Sequence, residues 1–184
     1  MEIQQVLALW RRASVPALQR AGEALRQFSG LDFAVTESDV AAVSWESMAA
    51  RLRQSMPHQT LYVVHLEGVG LFQAHVLMIF SDANGQRLAS ALMGEPVKTP
   101  LDDMGLSALA EVGNVVGTAF LNVFSDLFRA VWEPTIPQVL LTSAEDITQA
   151  IQPGSNVLIS QALFQVTDAE ISAQIVVVPD LSRD

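Results

Sequence analysis

Ser107, Glu111 and Asn114 stand four and three positions apart within a run of apolar and small residues. At about 100° per residue this spacing places a hydroxyl, a carboxylate and a carboxamide on one side of a helix. Thr118, Asn122 and Ser125 fall in the same sector, about 80° wide, whereas Leu109, Val112, Val116, Phe120, Val123 and Leu127 face elsewhere. Solvated helix faces are usually made of lysine, arginine and glutamate. This one carries a single carboxylate, no cation, and otherwise neutral groups that both donate and accept. A mid-helix asparagine costs a few tenths of a kcal/mol against alanine, and Gly113 and Gly117 cost about 1 kcal/mol each. Close approach of another surface accounts for such choices. That surface is either a docking partner or the neighbouring helix of the same domain, and composition leaves both readings open.

The elements that must position this stripe follow from periodicity and punctuation. A short helix is expected over 2–12 and a second from Ser14 to Phe28, with Ser14 as its cap, Pro16 in the first turn and Gly30 after its end. Residues 32–44 lead into a strand, and Ser47–Gln54 reads as a short helix. Leu61–His65 and Leu71–Phe80 read as two strands around a Glu67-Gly68-Val69-Gly70 turn. Asp82-Ala83-Asn84-Gly85 then turns the chain into a helix that stops at Gly94 and Pro96. After the Pro96–Pro100 linker comes the long helix, 102–127, and an extended segment from Arg129 to Leu141. A short helix, Ala144–Gln152, follows a Ser143 cap and ends at Pro153-Gly154, and strands Val157–Val166 and Glu170–Val178 meet at a Thr167-Asp168 turn.

The series helix, strand, short helix, hairpin thus occurs twice, about ninety residues apart. Ala17-Leu18-Gln19-Arg20-Ala21-Gly22-Glu23 lies over Ala108-Leu109-Ala110-Glu111-Val112-Gly113-Asn114 with small residues and a glycine in common. We therefore expect a single domain over 1–184 made of half-repeats, about 12–95 and 102–180. The class is α/β (α+β), a pseudo-symmetric duplication with one mixed or antiparallel sheet and two long paired helices on a face.

Ser107-x3-Glu111-x2-Asn114-x22-Pro137 resembles the [D/S]-x3-E-x2-N-x22-P signature of the CheC/CheX/FliY chemotaxis phosphatases. The run Ala110-Glu111-Val112-Gly113-Asn114-Val115-Val116-Gly117-Thr118-Ala119 is similar to that family's active-site helix, and the resemblance extends over about residues 12–180. It implies a CheC-like fold and hydrolysis of the aspartyl phosphate of a CheY-like response regulator. It further implies that Asn114 orients the attacking water and Glu111 engages the regulator's lysine, with Ser107 and Pro137 in support. No metal or cofactor of this chain's own is implied, since Mg2+ belongs to the regulator. A neutral amide suits this chemistry because it holds water without repelling the phosphoryl group, as a carboxylate there would. The deamidase CheD is a further partner in the family, single-site members are both monomers and homodimers, and a non-catalytic use in the flagellar switch or as a CheD-binding adaptor is the alternative. Two-site members carry the motif in both halves. Here Arg20, Glu23, Pro16 and Glu46 occupy the offsets of Glu111, Asn114, Ser107 and Pro137, so one active centre is expected, with Arg20 and Glu23 as a surface ion pair.

Charge and composition exclude several other classes. The net charge is −10, which disfavours nucleic acid and anionic membranes as partners. Absence of cysteine excludes thiolate chemistry and cysteine-based zinc sites. The first ten residues do not read as a signal peptide and no uninterrupted apolar run reaches the ~18 residues of a membrane span, so the expected location is the cytoplasm. His65 and His75 sit on adjacent strands, but no carboxylate or third histidine reads as spaced to join them, and His58 reads as a loop residue beside Pro57. Asp102-Asp103 read as an N-terminal cap of the long helix, and Asp82–Gly85 as a turn without the remaining ligands of a calcium loop. Gly68-x-Gly70 lies between strands and is no dinucleotide fingerprint, and Trp10, Trp45 and Trp132 read as core or interface anchors.

Overall fold

A computed structural model of the chain describes residues 3–55, 60–150 and 156–180. Helix α1 runs unbroken over Ile3–Ser29 rather than as two helices. Its buried face, Trp10, Ala13, Ala17, Leu18, Ala21 and Leu25, continues past Pro16, so burial outweighs the hydrogen bond that proline removes. Ser14 is therefore not a cap. It is buried, donates to the Trp10 carbonyl at 2.7 Å, and accepts from Ser160 at 2.6 Å, while the Trp10 indole N–H donates to Ser160 Oγ at 2.8 Å.

Strand β1 (Phe33–Ser44) and helix α2 (Trp45–Ser55) follow, then the hairpin β2 (Leu61–Val69) and β3 (Gln73–Ser81), helix α3 (Asp82–Met93) and the long helix α4 (Asp103–Phe128). The second half continues with β4 (Glu133–Pro134), β5 (Gln138–Thr142), α5 (Ala144–Ala150), β6 (Asn156–Val166) and β7 (Ile171–Asp180). Asp82–Gly85 is the first turn of α3, with Ser81 Oγ accepting from the Asn84 amide, because a serine cap in front of the run offsets its weak helix propensity. Strand β2 extends through Val69, so Glu67 and Gly68 belong to the ladder and the connection is residues 70–72. Gly68 is there for packing, since a side chain would strike Leu121 of α4. His58, Pro153 and Gly154 lie outside the described residues.

The sheet order is β1-β6-β7-β3-β2, with β5 and β4 both pairing β2 beyond β3, and every pairing is antiparallel. The order is symmetric under exchange of the halves: β1 pairs β6 of the other half, β5 pairs β2, and β3 meets β7 at the centre. Helices α1 and α4 pack against each other on one face, with α3 beside them, over Tyr62, Val64, Leu66, Val76, Met78, Phe164, Ile175 and Val177. Helices α2 and α5 cover part of the other face, over Leu61, Val63, Leu77, Ile79, Val176 and Val178. Helix α4 is long and apolar enough, by length and composition, to cross a membrane. Leu109, Val112, Val116, Phe120, Leu121 and Phe124 instead form a buried stripe against the sheet and α1, which is the face a core helix needs.

Candidate functional site

Helix α4 starts where the sequence places it: Asp102 Oδ1 accepts from the Gly105 amide at 2.9 Å, and Asp103 lies in the first turn. Just ahead of it, the Leu101 amide donates to the Tyr62 hydroxyl at 2.8 Å, which ties the helix start to β2. The close approach that Gly113 and Gly117 permit is to neither a partner nor a second helix. A Cβ on Gly113 would collide with Val64 Cγ1, and one on Gly117 would come within 2.5 Å of Leu66 Cδ2, so both glycines seat α4 on strand β2. The opposite, polar side of the helix is thereby held at a fixed height above the sheet.

Beyond Phe128 the chain turns through Arg129, a left-handed C-cap whose amide returns to the Ser125 carbonyl. Ser125 Oγ accepts from the Trp132 amide at 3.1 Å, and the buried Trp132 indole donates to the Phe72 carbonyl at 3.0 Å. Thr135 then clasps Glu67 of β2: its amide donates to the Glu67 carbonyl at 2.8 Å, and its hydroxyl accepts from the Glu67 amide at 2.9 Å. These bonds fix the 134–137 segment beside the polar stripe of α4.

The result is an open cleft of about 450 Å³ lined by Ser107, Ala110, Glu111, Asn114, Pro134, Thr135, Ile136 and Pro137. All four motif residues line it, although Pro137 is remote from the others in sequence. Ser107 and Glu111 are exposed, Asn114 and Pro137 half-buried. Glu111 is the one charged residue of the lining, so the cleft presents a carboxylate with a carboxamide one turn further along the helix. Such a pair suits a cationic group and a held water. Ile136, 88% exposed, stands at the rim as an apolar residue that sequence reasoning did not single out; its place after Thr135 in a loop gave no periodic signal.

Asn114 also lines a second groove, about 570 Å³, where Thr118, Asn122 and Ser125 face Arg20, Glu23 and Gln27 of α1. The stripe thus divides: its first half borders the cleft, its second the helix pair. Glu23 does not pair with Arg20 as expected. It accepts from Arg26 at 2.7 Å and Gln27 at 2.8 Å, and these bonds, the Arg26 one foremost, hold its carboxyl below the usual range. Glu46, at the offset of Pro137, sits in the first turn of α2. The first half has only residues 30–32 between α1 and β1, where the second has 129–137 between α4 and β5, so it lacks the segment that walls the cleft. A cavity of about 920 Å³ across β1, β6 and β7, lined by Thr36, Ser38, Gln161 and Gln174 among others, contains none of the motif residues.

The histidine pair is more than two separate strand residues. His65 Nε2 lies 3.1 Å from His75 Nδ1, and Glu67 joins them, its Oε1 3.7 Å from His75 Nδ1. Burial, and then the neighbouring His75, hold the His65 imidazole below its ordinary pKa. The expectation that no carboxylate joins the pair fails because Glu67 lies in the ladder, two residues from His65 and opposite His75, and not in a turn.

No family model matches the chain. A Halobacterium salinarum protein named as a candidate CheY-P phosphatase, CheC1, is 30% identical over 111 residues, which spans 58% of this chain and 57% of that protein. Among solved structures, Thermotoga maritima FliY shares the fold with a TM-score of 0.69 at 17% identity, over 90% of this chain and 84% of that one. A chain of the CheX-CheY-BeF3-Mg2+ complex from Borrelia burgdorferi gives 0.59 at 18% identity, over 89% of this chain and 95% of that one. The middle domain of FliM from Vibrio alginolyticus gives 0.62 at 8% identity, over 92% of each. The expected resemblance to CheC/CheX/FliY is borne out by this relative and these folds, as is the antiparallel sheet with paired helices.

Proposed function

We propose that this chain, similar in motif, sequence and fold to the CheC/CheX/FliY chemotaxis proteins, is a phosphatase for the aspartyl phosphate of a CheY-like response regulator. The observation that carries the reading is the convergence of Ser107, Glu111, Asn114 and Pro137 on one open cleft. The regulator brings its acyl phosphate, its magnesium ion and a lysine. What it lacks is a water held in line with the scissile bond. The Asn114 carboxamide accepts one hydrogen bond from that water and donates none of the repulsion a carboxylate would, so the water's lone pair faces phosphorus. Glu111, exposed one turn earlier, meets the lysine ammonium and sets the register of docking. Ser107 and Pro137 shape the two walls. Positioning of this kind supplies on the order of a hundredfold in rate, about 3 kcal/mol.

Supporting features are an open rather than enclosed cleft, as a protein substrate requires, and a lining without competing cations. We read the chain as one unit of two half-repeats working in the cytoplasm with a single catalytic cleft. The test is the decay of a phosphorylated regulator with and without the protein, with Asn114→Ala and Glu111→Ala in parallel. Asn114→Ala should remove the acceleration without weakening binding, while Glu111→Ala should weaken binding as well. A second reading is a non-catalytic adaptor, favoured by the same fold in a FliM middle domain. It is the correct one if wild type binds the regulator, or CheD, and leaves the decay unchanged.

A further inference from the structure

We propose that His65, Glu67 and His75 form a binding site for a zinc-class divalent ion on the sheet face opposite the cleft. His65 and Glu67 alternate along β2, so they share a face, and the β2–β3 register sets His75 directly across from Glu67. Val63, Leu77 and Ile79 continue that face into the apolar core under α2 and α5, so the three ligands lie at its edge. Their side chains are half-buried, with His75 16% and Glu67 32% exposed.

The spacing suits a metal. Ligand atoms about 2.05 Å from a tetrahedral zinc ion stand about 3.3 Å from one another. Here the two imidazole nitrogens are 3.1 Å apart, the carboxylate oxygen is 3.7 Å from His75, and all three ligand atoms lie within 4.8 Å of one another. The carboxylate is also oriented. Gln73 Nε2 donates to Glu67 Oε2 at 2.8 Å, which leaves Oε1 as the oxygen turned toward His75. Outer hydrogen bonds of this kind position ligands in metal sites. Two imidazoles and one carboxylate favour zinc and its neighbours over calcium or magnesium, which take oxygen donors. Without metal, one imidazole N–H bridges the two rings. Metal binding moves that proton to the ring's other nitrogen, and the ion takes its place.

The ion would brace the cleft from behind. Glu67 holds Thr135 through both its amide and its carbonyl, and His65 is paired with Gln138, the residue after Pro137. The site is structural in this account, and it stands independently of the phosphatase reading.

The experiment is a titration of chelator-stripped, tag-free protein with Co2+, followed by its visible d–d absorption and by competition with Zn2+. One Co2+ per chain, displaced by Zn2+, is expected. Gln73→Ala should weaken binding about 10–100-fold. His75→Ala and Glu67→Gln should weaken it by more than that. Absence of saturable Co2+ binding by the wild-type protein overturns the proposal, whether or not the variants fold. So does binding that is equally tight in folded His75→Ala and Glu67→Gln.

Discussion

Replacing Gly113 by alanine tests whether the polar stripe owes its position to the contact between α4 and β2. In an exposed helix this change stabilises by up to about 1 kcal/mol, since glycine is the poorer helix former. Here the new methyl group meets Val64 Cγ1 in overlap and Val64 Cβ at 3.1 Å. Val64 is 1% exposed on the strand between β3 and β5, and its β-branched side chain has little rotameric freedom. The clash is relieved only by lifting the helix, and overpacking of this kind costs about 1–3 kcal/mol. Net destabilisation of about 1–2 kcal/mol is expected, or roughly 2–8 °C in Tm for a chain of this length. Gly117→Ala is the internal control. Its methyl meets the end of the flexible Leu66 side chain, so a smaller loss, under about 1 kcal/mol, is expected. Urea unfolding of both variants beside wild type measures the difference. A Gly113→Ala protein as stable as wild type, or less damaged than Gly117→Ala, would mean that the contact with Val64 does not seat α4 on β2.

Other consequences follow from buried polar groups and from charge. Ser160→Ala should cost about 1–3 kcal/mol in urea unfolding, because it leaves the buried Trp10 N–H without an acceptor; a change under about 0.5 kcal/mol would contradict the network. The folded-state pKa of His65 lies below its unfolded value. As pH falls, the unfolded chain therefore takes up the extra proton first, so this contribution to stability is complete above the unfolded value of about 6.5 and is lost as pH falls from there through the lower folded-state pKa. In metal-free protein, His65→Gln should flatten that part of the stability–pH curve, and an unchanged curve would count against the buried, neutral imidazole.

Local signals carried much of the architecture. The Asp102 cap, the helical period of 104–127 and the glycine and proline stops placed α4, and the repeated element order foretold a symmetric sheet. What periodicity lacked was information about long-range contact. The unbroken α1 depends on a buried stripe that outweighs Pro16, and only the sheet against it makes that stripe continuous. Gly68 read as a turn signal because its packing partner, Leu121, is far away in sequence, and that misreading hid Glu67 from the histidines. Exchange of β1 and β5 between the halves is likewise a matter of pairing that no local pattern encodes. In the candidate site, the spacing of Ser107, Glu111 and Asn114 was legible from the helix period alone. The wall opposite them, held by Thr135 on Glu67 and by Trp132 on Phe72, was not.

The proposed role of Asn114, holding the hydrolytic water, is tested most directly by phosphate release from a phosphorylated CheY-like regulator with wild type, Asn114→Ala and Asn114→Asp. Wild type should accelerate release on the order of a hundredfold. Either variant should leave the regulator's own rate, alanine because the water is no longer held and aspartate because its charge repels the phosphoryl group. Wild-type decay equal to that of the regulator alone, or full acceleration retained by Asn114→Ala, would contradict this role.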